Sequence, residues 1–215
     1  MAGVIDSGAV RTRTVKATVK DQPLIRERRD ALIAAAVAVF KKKGFHASTV
    51  REIGRKAAMT QGTIYNYIRS KDDLLYLVCD RLVSQYQEET TKALAMHPDP
   101  VDRLRAAATA VAQVIYEHQD EILIIYQNTH LLDRQSLRII LHRVEEFVRG
   151  FEPLIRSAAT HAEVRVPNTY LAANFLTFVP TILALRRWAF GAQVGRDEVL
   201  DTLTEFIVRG LGFEA

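Results

Sequence analysis

Between Thr60 and Tyr67 the chain gathers Thr60, Gln61, Gly62, Thr63, Tyr65, Asn66 and Tyr67. Apart from Gly62, each of these side chains can form hydrogen bonds, and none is charged at neutral pH. Such a set suits base edges and phosphate oxygens in a DNA groove better than an ordinary solvated face, which favours Lys and Glu. Ile64 and Ile68 lie four residues apart and turn inward, leaving the polar set on the opposite face. Gly62 leaves room for a DNA backbone to approach closely. Gln61 has the donor and acceptor pair that matches adenine. Lys71 falls in the first turn of the following helix, where backbone N–H groups and an ammonium can grip one phosphate together.

These residues need rigid elements to hold them, and the flanking sequence supplies the signals. Ser48 or Thr49 can cap a helix, with Glu52 within reach of a capping box from either start. Val50, Ile53 and Ala57 then face inward, Ala58-Met59 makes a turn, and Thr60 caps the second short helix. Ser70, with Asp73 three residues on, caps the next one. Two short helices joined by a tight turn form a helix-turn-helix, which places its second helix in the major groove. Upstream, Leu32, Ile33, Ala36, Val37 and Phe40 form one apolar stripe on a helix over 26–43. Lys41, Lys42 and Lys43 suit its C-terminal dipole, and Gly44 is its stop.

The pattern G-F-x-x-S-T-V-x-E-I, T-x-G-T-I-Y-x-Y, S-K-D-D-L-L over residues 26–76 resembles the DNA-binding domain of the TetR family of bacterial regulators. That resemblance implies DNA contacts from Thr49, from the recognition positions Thr60, Gln61, Gly62, Thr63, Tyr65, Asn66 and Tyr67, and from Lys71. It also implies a ligand-responsive repressor that binds a palindromic double-stranded DNA operator as a homodimer through its last two long helices. The chain departs from the family pattern at the turn, where Ala58 replaces glycine, and at Gln61, which replaces lysine. Alanine in a left-handed turn costs roughly 1 kcal/mol, so a slightly relaxed turn is expected.

The expected fold is all-α: an N-terminal three-helix helix-turn-helix domain followed by a helical ligand-binding and dimerisation bundle. Residues 1–24 lack a hydrophobic period and carry Arg11, Arg13, Lys16 and Lys20, so a disordered basic arm is expected there. It either touches DNA or is a bare tail. The DNA-binding domain is placed at 25–72 and the bundle at 73–215. Within the bundle, helices are expected over 71–97, 99–118, 120–129, 134–159 with a bend near Gly150, 167–190 with Pro180 inside, and 197–211.

Residues 1–74 hold 15 Lys and Arg against 7 Asp and Glu, whereas the remainder holds 14 against 18. A basic front on a mildly acidic body points to a polyanion-binding end. A hydrophobic content of 48% is ordinary for a globular protein, so a sizeable core needs no metal or disulfide staple. One cysteine, Cys79, forms no internal disulfide, and its apolar neighbours make it a small buried hydrophobe. With no secretory signal and no apolar run of membrane-spanning length, a cytoplasmic protein without membrane contact is expected. The six histidines show no metal-ligand spacing, and no P-loop, dinucleotide-binding glycine pattern or G-x-S-x-G occurs. Neither a cofactor nor an enzyme activity is expected.

The effector is the least legible element. Tyr126, Gln127, Asn128, Thr129 and His130, with Arg134, Arg138 and His142 and with Arg186, Arg187 and Trp188, resemble the acyl-CoA-sensing subgroup of the family, diffusely. Tyr126, His130, Arg138, Arg187 and Trp188 are the candidate ligand residues: an apolar interior for an acyl chain, arginines for CoA phosphates. The competing expectations are a neutral hydrophobic effector, as for an efflux or aromatic-degradation operon, and a non-specific nucleoid-type DNA binder.

Overall fold

The computed structural model describes residues 13–190 and 194–213, and the described regular structure is entirely helical. The segment 1–12 of the expected arm lies outside the described residues. Helix α1 (Gln22–Ala47) starts where the Asp21 carboxylate accepts from the Leu24 amide at 3.1 Å, with proline in its first turn. That cap satisfies an orphan N–H and places the proline where no donor is needed, so the helix begins four residues before the expected 26. Gly44, at φ 78, breaks its helical path, a conformation that suits glycine. Helix α2 (Val50–Lys56) opens with a full capping box. Thr49 Oγ1 accepts from the Glu52 amide and Glu52 accepts from the Thr49 amide. Ser48, the other candidate cap, instead donates to the Phe45 carbonyl at 2.6 Å.

The turn after α2 is a Schellman motif. The Met59 amide donates to Gly54 O at 2.8 Å and the Ala58 amide to Arg55 O at 3.3 Å. Ala58 sits at φ 54, fully left-handed. The expected relaxation does not occur: two closing bonds and the burial of Met59 hold the alanine in a glycine conformation. Helix α3 (Gln61–Ile64) is capped by Thr60, whose hydroxyl accepts from the Thr63 amide. Its regular part is shorter than the sequence implies, and the path continues as turns closed by Tyr67 and Ile68 amides on Ile64 O. Helix α4 (Lys71–Ala95) carries the expected Ser70 cap, with the Asp73 amide on Ser70 Oγ at 3.2 Å.

Beyond it lie α5 (Pro100–Glu117), α6 (Gln119–Asn128), a 3-10 turn at Thr129–Leu131, α7 (Arg134–Arg149) and α8 (Phe151–His161). Then come α9 (Thr169–Phe178), α10 (Ile182–Leu185), α11 (Arg187–Phe190) and α12 (Arg196–Gly210). The bend expected near Gly150 separates α7 from α8. Pro180 lies in a 3-10 turn, Val179–Thr181, that divides the expected 167–190 helix, as a missing N–H donor requires.

The chain forms two compact units. The described part of one comprises 13–82 and 120–141. Its core joins Leu32, Ala36 and Phe40 of α1 and Ile53 of α2 to Ile64, Ile68, Leu74, Leu75 and Val78. Ile124, Leu132 and Ile140 complete it. At about 1.5–3 kcal/mol for each large apolar side chain removed from water, this burial holds the short helices in place. In the other unit, α5 packs against α8 and α12, and α8 against α9. Ala107, Ala108, Ala110 and Ala112 of α5 are buried, small residues that let neighbouring helices approach closely. Thr109 and Thr204 hydroxyls meet at 3.2 Å across α5 and α12. Among the described residues no helix is long and apolar enough to cross a membrane.

Candidate nucleic-acid interface

The recognition surface is built on close approach between α2 and α3. A Cβ on Gly54 would lie 1.8 Å from Ile64 Cδ1, so glycine there is a packing requirement. A Cβ on Gly62 would meet nothing within 4 Å. Gly54 is absent from the sequence expectations; its signal is a glycine inside a short helix, facing an inward isoleucine.

Thr60, Gln61 and Gly62 are exposed, Thr63 is half-buried, and Tyr65 retains 46% exposure despite its size. The Thr60 and Thr63 hydroxyls stand 2.8 Å apart. Asn66 is half-buried, and its Oδ1 accepts from Thr18 Oγ1 at 3.0 Å. Tyr67 differs from the expectation: its ring is in the core, 4% exposed, and its carbonyl accepts from the Arg29 guanidinium at 3.2 and 3.3 Å. Its ring packs as a core aromatic.

Thr49 is exposed, but its hydroxyl is engaged within the capping box and with Glu52 Oε2. The Lys43 ammonium bonds Glu52, and this contact above all holds the Glu52 carboxyl below its ordinary pKa. Lys71 is the larger surprise. Its Nζ donates to the carbonyls of Phe45, His46 and Ser48 at 2.6, 3.2 and 3.0 Å and lies 4.4 Å from the Phe45 ring centroid. A cation on the last carbonyls of a helix complements its dipole, so Lys71 acts within the fold as the C-terminal clamp of α1. Arg51, Arg55 and Lys56 of α2 are exposed.

The arm expected to be disordered over 1–24 packs from Arg13 onward. Val15 is 4% exposed, the Arg13 amide donates to Tyr76 Oη at 2.7 Å, and the Arg13 guanidinium pairs with buried Asp73. Desolvation lowers the pKa of Arg29, which bridges Val15 O and Tyr67 O. The apolar anchors are easily overlooked in sequence because the segment is short and rich in threonine and lysine.

Tyr126, His130, Arg138, Arg187 and Trp188 are all exposed, Trp188 by 81%. An open surface cleft is lined by other residues, including Pro100, Arg149, Arg156, Thr160 and His161. No three His, Cys, Asp or Glu side chains gather as a metal site among the described residues.

Residues 32–77 match the model of the bacterial regulatory proteins of the tetR family, and 97–211 match the tetracyclin repressor-like C-terminal domain. The chain belongs to the TetR family. Among TetR-family relatives, it is 30% identical to the HTH-type transcriptional regulator HbdR of Aromatoleum sp. (strain CIB) over 92% of this chain and 83% of that protein. A TetR-family structure from Rhodococcus RHA1 superposes with a TM-score of 0.77, covering 88% of this chain and 99% of that one at 22% identity. AibR, solved with isovaleryl coenzyme A and operator DNA, superposes with a TM-score of 0.70 over 83% of this chain and 97% of its own, at 18% identity. The likeness to these two structures is one of fold. As a TetR-family protein, the chain is a helix-turn-helix DNA-binding transcriptional regulator.

Proposed function

We propose that this regulator binds a near-palindromic operator as a homodimer and represses from it until a small hydrophobic effector releases it. The observation that carries the DNA half is the contrast at Gly62. The fold leaves its Cβ position empty on the exposed face beside Gln61 and Tyr65, which keeps that face open to an outside partner, whereas a Cβ on Gly54 would run into Ile64. Gln61, Thr63 and Tyr65 are assigned to base edges, and Thr49, Thr60 and Asn66 to phosphate and groove walls; Tyr67 supports them from the core. Lys71 contributes by fixing the end of α1.

An exposed apolar stripe supports the dimer. Leu171, Phe175, Phe178, Ile182 and Leu185 follow one another at alternating spacings of four and three, and each is 37–57% exposed. Phe206 of α12 is 67% exposed. A contiguous apolar face of this kind on a transcriptional regulator marks a surface that a second copy covers. Two recognition helices then meet major grooves about 34–36 Å apart. An effector that favours a different separation weakens binding by ~1–3 kcal/mol of coupling, roughly 5- to 150-fold.

The effector class proposed is an acyl-CoA thioester. AibR, of the same fold, carries isovaleryl coenzyme A. Selection from a random duplex library tests the operator reading: a motif with two-fold symmetry is expected, and a library without enrichment contradicts it. On the selected duplex, micromolar long-chain acyl-CoA should release the protein while free CoA should not. A panel of acyl-CoAs that changes neither binding nor melting temperature removes the thioester from the account.

A further inference from the structure

The segment from Val15 to Lys20 alternates along its length. Val15 is buried, and Ala17 and Val19 pack partly buried against the same core. Thr14, Lys16, Thr18 and Lys20 are exposed. Lys16, Thr18 and Lys20 are all exposed while Val15, Ala17 and Val19 are turned to the core, so the polar members of the segment are left to solvent. The central member of that trio is bonded to the recognition element. The Thr18 amide donates to Asn66 O at 2.9 Å, and Thr18 Oγ1 donates to Asn66 Oδ1 at 3.0 Å. Arg29 fastens the same two stretches of chain from beneath through Val15 O and Tyr67 O. Farther up the segment, the Arg13 charge is taken by Asp73, with Asp133 at 3.9 Å. Lys16 and Lys20 have no ion pair among the described residues, and both are exposed.

We propose that residues 15–20 form a basic strap that extends the DNA interface, with Lys16 and Lys20 contacting backbone phosphates and Thr18 positioning the end of the recognition element through Asn66. The proposal rests on the assignment of Thr60–Asn66 to the DNA face. Its chemistry is that of two flexible ammonium groups held two residues either side of a fixed contact. Phosphate neutralisation gives affinity without sequence preference, and each contact adds to the salt dependence. Thr18 carries no charge; its bonds fix where Asn66, and with it the last turn after α3, sits against the groove. In sequence, Lys16 and Lys20 read as part of a floppy arm, although Val-Lys-Ala-Thr-Val-Lys is a one-sided apolar pattern.

The test uses the full chain and two duplexes: one selected by the wild type from a random library, and a scrambled duplex of equal length. The double variant Lys16→Gln/Lys20→Gln should weaken binding to both duplexes by the same factor. It should also reduce the slope of log affinity against log salt by about 0.9 for each phosphate no longer neutralised. The charge-matched pair Arg156→Gln/Arg165→Gln, exposed residues of the other unit, should leave the slope unchanged. Thr18→Val should keep the wild-type slope but lower the preference for the selected duplex by roughly fivefold, the worth of one net hydrogen bond. Thr18→Ser should restore it. A wild-type slope in the double lysine variant, or a drop matched by the arginine pair, overturns the phosphate contacts. An unchanged preference in Thr18→Val overturns the positioning role. Should the wild type fail to tell the two duplexes apart, the operator reading falls, while the slope on the scrambled duplex still decides for or against the strap.

Discussion

Gln61, Thr63, Tyr65 and Asn66 stand together on one capped helix and its following turn, whereas Tyr126, His130 and Arg138 belong to one compact unit and Arg187 and Trp188 to the other. The first group is brought together by hydrogen bonds that span three to five residues: the Thr49 and Thr60 caps, the Schellman turn and the Ser70 cap. The second group would need contacts between residues about 50 or more apart in the chain, which no local pattern specifies. Local chemistry therefore makes the candidate DNA face legible in advance, and a cavity made by long-range packing would leave no comparable mark.

That contrast can be broken by mutation. The largest effect is expected away from the recognition element. Phe175→Glu places a charge in the exposed apolar stripe and should leave a folded monomer whose affinity for a palindrome falls by ~100-fold or more, since avidity from the second recognition helix disappears. Sedimentation and gel shift together check this; a dimer of wild-type affinity would remove the stripe from the interface. Next come the two glycines of the motif. Gly54→Ala forces Ile64 to move and should destabilise the unit by about 1–3 kcal/mol, the usual range for overpacking. Gly62→Ala should melt within about 0.5 kcal/mol of wild type, as surface changes do, yet bind DNA more weakly. If the two variants melt alike, the distinction between a packing glycine and a contact glycine collapses.

A smaller effect is expected at the turn. Ala58→Gly relieves the left-handed alanine at φ 54 and should stabilise the protein by about 1 kcal/mol. Base preference should be unchanged, as read by thermal melting and binding selection. No effect is expected at Cys79, whose thiol is buried and pushed up to about 12 by desolvation. A thiol raised that far stays protonated below that pH, so an alkylating reagent at about pH 8 should label only unfolded chain. Rapid labelling of the native protein would contradict the buried position.

Much of the fold is legible in the sequence because its signals are local. Asp99 and Pro100 open α5, Gly150 ends α7 and Pro180 interrupts the helix that contains it, each within a residue or two of the expected place. The misreadings share one cause. Tyr67 and Lys71 have polar ends, and in a sequence a polar end reads as outward function. In the structure the Tyr67 ring fills the core and Lys71 clamps three carbonyls from another part of the chain. Residues 13–20 read as disordered because partners such as Asp73 and Tyr76 lie about 60 positions away in sequence. A similar separation hides Arg29, whose bonds to Val15 and Tyr67 depend wholly on the tertiary fold.

The proposed DNA face should read sequence. Its most direct test is a titration of the wild-type chain against the selected duplex and against a scrambled duplex of equal length, at one fixed salt concentration. A preference of at least ~10³-fold for the selected duplex is expected, in the range that separates specific from non-specific binding. Equal affinity for both would contradict it.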